Sequence, residues 1–329
     1  MNKDWNKNLF NHEEANFLQS LEWAKVNEAI GHKVIFEKFD DKSLCLMIVK
    51  NAKRGRYMEI PGGPIIDWQN PKKVERSFNK IKEIAKTEHC AFIRLRPQLE
   101  NTEENREILK TLSAKPATMH LHAEHTVILD LTKNEDELMA DMRRQTRYEV
   151  RRALKMGIKV EFDNSEEIFK KFHKIQAETA ARQHFIPPDL KTLLAEHEAF
   201  GKNAKIYTAY IEEDGKKKDI AYGLILVAGE EAEYFEAAST DLNRQLPGAH
   251  ALQWQVMRDL KAAKIKRYNL WGIAPPNQPN HRYAKVTTFK TGFGGEVKEF
   301  IHAHDIIVNK VQYLPNLIVE KIRKKKRHL

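Results

Sequence analysis

The segment FKTGFGGEVKEF places Lys290 directly after the aromatic residue Phe289 and follows it with the pair Gly294 and Gly295. This pattern predicts a strand that enters a tight turn, because glycine readily adopts backbone conformations that other residues avoid. A lysine held at such a turn would supply a fixed positive charge. Spacing alone favours a simpler interpretation, a surface lysine on a strand beside a core phenylalanine.

Four basic residues recur at every fourth position of one segment: Arg143, Arg147, Arg151 and Lys155. The segment is predicted to form a single helix that begins with a capping box at Thr132 and Glu135 and ends at Gly157. The four side chains would share one helix face, since residues four apart are neighbours on a helix. Such a face suits phosphate binding, as in tRNA, and equally suits an ordinary solvated surface.

Two histidine-rich segments, HLHAEH at 120–125 and HAHD at 302–305, are the candidates for a metal site. Zinc requires three or four convergent ligands, and nothing in the sequence shows that these segments meet. We therefore interpret them as strand-face or surface histidines and expect no metal. Cys45 and Cys90 lie far apart in apolar runs, which indicates buried free thiols.

The turn TDLNRQLPGAHAL resembles the strand-to-helix turn with which acyl-CoA N-acyltransferases bind pyrophosphate. The spacing Gln245, Gly248, His250 matches that motif only in part, because His250 stands where a small residue would let the cofactor approach. No Walker loop, dinucleotide-binding glycine motif, zincin motif or nucleophile elbow is present. The sequence thus gives weak support to acyl-CoA and predicts no cofactor.

The 329 residues include 56 Lys and Arg against 46 Asp and Glu, a net charge of +10 that suits a polyanionic partner. No apolar run approaches the ~20 residues that cross a bilayer, and the first residues have no signal-peptide core. We therefore expect a cytoplasmic protein. The basic tail KIRKKKRHL suits a solvated end as well as a contact with RNA phosphate or anionic lipid.

The chain contains the same order of elements twice. Three short apolar runs, a helical pattern and a further strand occupy residues 33–96, and a matching series begins at Lys205. A fixed offset of this kind predicts two copies of one α+β domain, each with a mixed sheet flanked by helices. We expect the first domain at 1–128, completed by 300–329, and the second at 129–299.

With these pieces in order, the chain resembles the Fem-type (FemABX) peptidoglycan aminoacyltransferases over nearly its whole length. The resemblance rests on these segments: FLQSLEWAKVNEAIGHKV, RRQTRYEVRRALKMGIKV, ETAARQHF, YFEAAST, ALQWQVMRDLKAAK, RYNLWGI and FKTGFGG. It implies two tandem domains similar to acyl-CoA N-acyltransferases (GNAT-like), without use of acyl-CoA. It also implies transfer of an amino acid from aminoacyl-tRNA to the stem-peptide side-chain amine of a peptidoglycan precursor.

The resemblance also assigns candidate site residues. The Phe-Lys pair of the family corresponds to Phe289 and Lys290, so Lys290 would stabilise the oxyanion or contact the tRNA end, and Phe289 would stack on the terminal adenine. Lys25 would contact the acceptor, although it also suits a solvated helix face. Arg182 suits a phosphate, a stem carboxylate or a structural ion pair. Tyr234 suits the core or the cleft between the domains.

The chain departs from its relatives in three places. IPPDLK follows ARQHF where relatives with soluble precursors have acceptor contacts, Arg96 replaces an acidic residue, and no long heptad insertion interrupts the second domain. We expect a compact monomer without a helical arm, with a UDP-linked or lipid-linked acceptor and peripheral contact with the inner membrane face in the lipid-linked case. The competing hypotheses are an acyl-CoA-dependent N-acyltransferase and a noncatalytic RNA- or membrane-binding protein.

Overall fold

The computed structural model describes residues 4–40, 42–52, 55–183, 185–276, 278 and 280–327. The chain divides into two compact units. The first unit comprises Met1–Glu124 and Glu299–Leu329, and the second comprises His125–Lys298. Among the described helices, none combines the length and the apolar character that crossing a bilayer requires.

The first unit begins with four helices and five strands. Its helices are α1 (Trp5–Leu9), α2 (Leu21–Ala29), α3 (Pro71–Thr87) and α4 (Glu103–Thr111). Its strands are β1 (Lys33–Asp40), β2 (Ser43–Ala52), β3 (Gly55–Pro61), β4 (Phe92–Arg96) and β5 (Lys115–Pro116).

The second unit contains six helices and seven strands among its described residues. Its helices are α5 (Glu135–Asp141), α6 (Arg144–Lys155), α7 (Glu166–Gln183), α8 (Leu190–Phe200), α9 (Gly248–Ala262) and α10 (Ala284–Thr291). Its strands are β6 (His125–Asp130), β7 (Lys159–Asp163), β8 (Ala204–Glu213), β9 (Lys216–Ala228), β10 (Glu231–Ser239), β11 (Arg267–Asn269) and β12 (Glu296–Glu299). The chain then returns to the first unit through β13 (His304–Ile307) and α11 (Lys310–Arg327).

The predicted internal repeat is present. In the first unit β1, β2 and β3 form an antiparallel meander, and β4 pairs in parallel with β3 after the crossover helix α3. In the second unit β8, β9 and β10 form the meander, and β11 pairs in parallel with β10 after α9. A parallel pair requires such a crossover, which explains why a helix separates the third and fourth strands in both copies.

Strands distant in the chain complete both mixed sheets. The six-stranded sheet has the order β1-β2-β3-β4-β13-β5, and the seven-stranded sheet has the order β12-β6-β11-β10-β9-β8-β7. In each sheet an antiparallel strand, β13 or β6, follows the last strand of the repeat. The C-terminal segment is therefore an integral part of the first unit.

The predicted helix across 132–157 is wrong in two respects. Its capping box is formed by Asn134 and Glu137 rather than Thr132 and Glu135, because the Thr132 hydroxyl donates to Asp130 Oδ1 at 2.6 Å. The helix is also interrupted at Met142, whose backbone is extended and whose side chain is buried. Tertiary packing thus divides a segment that is helical by local propensity.

A buried ion network attaches the C-terminal segment to the first sheet. Arg94 on β4 donates from Nε and Nη2 to both oxygens of Asp305 on β13, at 2.7 and 2.8 Å. The same guanidinium donates to Glu320 on α11 at 2.9 Å, and the Tyr313 hydroxyl donates to Asp305 at 3.0 Å. The two carboxylates raise the pKa of Arg94 against the effect of burial, which keeps the cation charged.

We expect Asp305→Ala to lower the free energy of unfolding by about 3 kcal/mol, because it removes one of the two counter-charges of a buried guanidinium. Urea denaturation of the purified protein measures this. Lys80→Ala is the control, since its ion pair with Glu83 is exposed and its loss should change stability by less than about 0.5 kcal/mol. An equally small effect of Asp305→Ala would show that the network does not stabilise the first unit.

Candidate functional site

Lys290 lies in the last turn of helix α10, so the prediction that it occupies a strand is wrong. The sequence AKVTTFKT contains three threonines and a valine, which favour strands by local propensity. Here all three threonine hydroxyls donate to backbone carbonyls one turn earlier in the helix, at 2.8–3.1 Å. Bonding of this kind slightly destabilises a helix, so the surrounding structure rather than local propensity makes this segment helical.

The glycines after Lys290 do form a tight turn. Gly294 and Gly295 have φ angles of 85° and 83°, in the left-handed region. A Cβ atom at Gly295 would lie 2.6 Å from the carbonyl oxygen of Ile128, and one at Gly294 would lie 2.9 Å from that of Asp141. Only glycine lets the chain leave α10 this close to its neighbours.

The sheet of the second unit opens where β10 and β11 diverge. The two strands pair only from Glu231 to Glu233, and β10 continues alone to Ser239 on that side. A register shift against β9 between Tyr234 and Glu236 marks a β-bulge at the point of divergence. Bulges bend the strand that carries them and redirect its side chains, so this one places Tyr234 at the opening.

The turn after β11 presents a carbonyl group to the opening. Asn269 accepts a hydrogen bond from the Trp271 backbone N–H at 2.9 Å, and Trp271 has a φ of 60°. This left-handed conformation is uncommon for a bulky side chain and indicates local strain. The Gly272 carbonyl follows directly and accepts from Lys290 Nζ at 2.9 Å.

Lys290 is a buried lysine, only 8% exposed. Its Nζ contacts the Gly272 carbonyl and lies 5.7 Å from the centre of the Tyr234 ring. Among the described residues, no carboxylate forms an ion pair with it. Burial without a counter-charge disfavours the ammonium form and lowers the pKa of Lys290 to about 7. The side chain can therefore give up or take up a proton near neutral pH.

Of the two aromatic candidates, Tyr234 lies against this lysine, and Phe289 packs against other aromatic rings. Burial raises the pKa of Tyr234 to about 12, so its hydroxyl stays protonated at neutral pH. The Phe289 ring lies 5.1 Å from both His250 and Phe293, within an aromatic cluster. At the start of α9, Asn243 Oδ1 accepts from the Ala249 N–H at 3.0 Å, and the Gly248 N–H donates to the Leu246 carbonyl at 2.8 Å. Two N–H groups that a pyrophosphate would use in this turn therefore already have protein partners.

The four basic residues predicted to share one helix face have different surroundings. Arg143 precedes α6 and donates to the Thr288 carbonyl of α10 at 2.7 Å, while its own N–H donates to Gly292 at 2.9 Å. Arg147 donates to the Ala140 carbonyl at 2.7 Å. Arg151, in contrast, is exposed to solvent. Arg143 therefore holds the helix that carries Lys290, and Arg151 and Lys155, which are both exposed, are the members best placed for a ligand.

Arg182 and Lys25 lie in different surroundings. Arg182, at the end of α7, donates to the Ser239 carbonyl and to Thr179 Oγ1, and its Nε lies 3.7 Å from Asp241. These contacts tie α7 to the end of β10, which suits the structural interpretation. Lys25 is exposed on α2 of the first unit, beside the half-buried Trp23. The structure brings Lys290 and Tyr234 together. Phe289 precedes Lys290 on α10 with its ring against His250 and Phe293, and the other candidates lie elsewhere.

A carboxyl group that the sequence analysis missed also titrates near neutral pH. Burial raises the pKa of Glu236 on β10 to about 7, and its Oε2 accepts from Gln176 Nε2 at 2.7 Å. Burial and the neighbouring Glu236 also raise the pKa of Glu196, so at neutral pH the two carboxyls hold at least one proton. No spacing in the sequence connects Gln176, Glu196 and Glu236.

Comparison with known families identifies the chain. The model of the FemAB family matches residues 2–212 and 188–321. This chain belongs to the FemAB family. The match includes the segments that carry Lys25, Arg182 and the Phe289–Lys290 pair.

Curated relatives of this FemAB protein include two staphylococcal aminoacyltransferases. Aminoacyltransferase FemA of Staphylococcus aureus strain MW2 is 21% identical, over 85% of this chain and 86% of the relative. FemA of Staphylococcus epidermidis is 22% identical, over 91% and 92%. These alignments extend along both units.

Solved structures confirm the predicted fold of two tandem GNAT-like domains. The crystal structure of FemX matches with a TM-score of 0.85 at 19% identity, over 95% of this chain and 97% of that one. A tandem GNAT protein from the clavulanic acid pathway matches with a TM-score of 0.51 at 8% identity, over 81% and 79%. No described helix exceeds 18 residues, so the described part of this FemAB protein has no long helical arm.

We expect the free energy of unfolding of the wild type, minus that of Lys290→Met, to rise by about 2 kcal/mol between about pH 7 and about pH 9. The slope is about 1.4 kcal/mol per pH unit. The folded pKa of about 7 lies below the ordinary lysine value of 10.5. Between these values the unfolded chain binds the extra proton, so stability increases with pH. Below about pH 7 both states are protonated and the difference is constant.

Urea denaturation of both proteins across this pH range measures the effect. Lys285→Met is the matched control, because Lys285 lies exposed on the same helix. A pH-independent difference between the wild type and Lys290→Met would contradict the lowered pKa.

Proposed function

We propose that this FemAB protein is an aminoacyltransferase that moves an amino acid from aminoacyl-tRNA to the stem-peptide side-chain amine of a peptidoglycan precursor, as in interpeptide-bridge formation. The observation that carries the proposal is the buried Lys290, held on Gly272 at the opening between β10 and β11 in a chain of this family. Two staphylococcal relatives are named aminoacyltransferases, which supports the reaction type.

The reaction forms an amide from an ester. The acceptor amine attacks the ester carbonyl, a C–N bond forms, and the C–O bond to the tRNA ribose breaks. The amine loses a proton and the ribose oxygen gains one, so no external acid or base is consumed. A negative oxygen develops in the tetrahedral intermediate, and a fixed donor beside it stabilises that charge by a few kcal/mol.

Lys290 suits the role of that donor. Its ammonium form can exchange the Gly272 carbonyl for the oxyanion, which is a stronger acceptor. A pKa of about 7 also allows the same amine to accept the proton that the nucleophile releases. Tyr234 remains neutral beside it and presents the face of its ring to Nζ, while its hydroxyl is hydrogen-bonded to the buried Gln253.

The charge of the protein suits both substrates. A net charge of +10 attracts tRNA and a phosphate-bearing precursor alike. We assign tRNA contacts to the surface that includes Arg151 and acceptor contacts to Lys25. A UDP-linked acceptor would be met in solution, whereas a lipid-linked one would bring the protein to the inner face of the membrane.

We expect Lys290→Met to reduce turnover by about 100- to 1,000-fold, the usual cost of removing one oxyanion donor. The measurement is transfer of labelled amino acids from a mixed pool of charged tRNA to UDP-linked and lipid-linked muropeptides, with products identified by mass. Lys285→Met, on the exposed face of the same helix, should retain wild-type turnover.

Three outcomes would count against different parts of the proposal. Equal turnover in Lys290→Met and the wild type would remove the role of Lys290 but leave the reaction intact. No product with either acceptor, from folded protein that binds tRNA, would instead favour an RNA-binding role. Stabilisation by acetyl-CoA in a thermal shift would favour the acyl-CoA reaction.

We expect Arg151→Ala to weaken tRNA binding. The slope of log K against the logarithm of the salt concentration should become smaller by about 0.7 to 0.9, because one phosphate contact is lost. Fluorescence anisotropy with labelled tRNA over a range of salt concentrations measures both quantities. Lys110→Ala in the first unit, an exposed lysine already paired with Glu107, is the control. An unchanged salt slope in Arg151→Ala would place tRNA elsewhere.

A further inference from the structure

The two histidine-rich segments, which the sequence could not connect, meet in the first unit. Residues 117–124 follow β5, and residues 300–304 lead into β13. Their backbones are joined by hydrogen bonds from Ala117 N–H to the Ala303 carbonyl at 2.8 Å and from Phe300 N–H to the Glu124 carbonyl at 2.7 Å. This pairing brings His120 and His302 to the same carboxylate.

Glu124 is the centre of the cluster and is buried. Its Oε1 lies 2.9 Å from Nδ1 of His120 and 2.7 Å from Nδ1 of His302. The three groups offer one ligand atom each, all within 4.8 Å of one another. Two imidazoles and one carboxylate from two segments of the chain thus converge on one point.

The hydrogen bonds of His302 require a positive charge at this point. Its Nε2 lies 2.8 Å from the Ala117 carbonyl oxygen, and its Nδ1 lies 2.7 Å from Glu124 Oε1. A neutral imidazole carries one N–H, which satisfies only one of these two acceptors. The Nδ1 side therefore needs either a second proton or a metal ion. Donation from the other ring nitrogen to a backbone carbonyl is the usual contact of a metal-bound histidine.

We propose that His120, Glu124 and His302 bind a divalent transition-metal ion, with Zn²⁺ as the best match, and that this ion joins the C-terminal segment to residues 117–124. Two nitrogen ligands and one carboxylate suit zinc, whereas calcium and magnesium prefer oxygen alone. Ligand atoms about 2.1 Å from a tetrahedral zinc lie about 3.4 Å apart. From the present 2.9 and 2.7 Å, His120 would withdraw from Glu124 by about 0.5 Å and His302 by about 0.7 Å.

The surroundings allow an ion to enter and remain. The His120 side chain is 61% exposed, so the site opens to solvent and its fourth position can hold water. Arg96 is the competing cation, since its charge is attracted to Glu124. Its guanidinium, however, donates to Gln98 Oε1 at 3.3 Å and lies 5.4 Å from the centre of the Phe300 ring. Glu124 therefore keeps Oε1 directed at the two histidines.

Metal titration of the full-length protein tests the proposal. Protein stripped with a chelator and dialysed is titrated with ZnCl₂ by calorimetry, and its Tm is followed with and without zinc. We expect one equivalent of zinc to bind and to raise the Tm, because a ligand of the native state stabilises it. Substituted Co²⁺ should give visible absorption bands that report nitrogen and oxygen coordination.

Variants identify the ligands. His120→Gln, Glu124→Gln and His302→Gln should each weaken zinc binding by more than about 10-fold, the smallest loss usual for residues that only support a ligand. His12→Gln, in the same unit but outside the cluster, should bind zinc as the wild type does. If the variants of Glu124 or His302 do not fold, His120→Gln decides the test, since its side chain is the most exposed of the three.

Absence of zinc binding by the wild type, or unchanged affinity in His120→Gln, would overturn the proposal. The cluster would then be held by hydrogen bonds between Glu124 and the two histidines alone. An equal loss in His12→Gln would indicate nonspecific binding and would also overturn it. None of these readouts depends on aminoacyl transfer, so the result is independent of the proposed function.

Discussion

The buried ammonium group of Lys290 contacts one backbone carbonyl, that of Gly272, in place of water. The elements of the second unit around Lys290 are arranged so that this contact forms. Desolvation without a counter-charge is costly, so the group survives only where a rigid frame over-determines its position. Helix α10 supplies the lysine, Arg143 holds that helix through the Thr288 and Gly292 carbonyls, and the strained turn at Trp271 directs the Gly272 carbonyl.

The same physics distinguishes two of the cationic groups that are buried in the described part of the protein, Arg94 and Lys290. Arg94 in the first unit is surrounded by Asp305 and Glu320 and stays charged, which suits a structural role. Lys290 has one neutral partner, and its pKa falls to about 7, which suits proton transfer. Burial alone therefore does not mark a functional residue. The identity of the partners decides whether the charge is retained or becomes titratable.

The GNAT-like architecture is used twice, and the two copies differ at the end of the parallel strand pair. In the first unit β3 and β4 stay paired to their last residues, Pro61 and Arg96, whereas in the second unit β10 continues to Ser239 beyond its last pair with β11. In the turn before α9 the Asn243 side chain already bonds the Ala249 N–H, a group of the kind that binds a cofactor phosphate in this fold. Fold and donor are separable, because the frame is set by the sheet and the donor by a few side chains.

The sequence by itself determined the repeated meander, helix and strand and the family, and it singled out the Phe289–Lys290 pair as a candidate, because hydrophobic periodicity and local motifs are encoded by residues near in the chain. It misplaced Lys290 on a strand and joined α5 to α6, since the contact of α10 with Arg143 and the burial of Met142 depend on residues distant in the chain. Only the tertiary structure brought Gly272 to Lys290 and His302 to Glu124. Contacts between distant segments carry no local signal in a single sequence, and chemistry that depends on desolvation or convergence is fixed by those contacts.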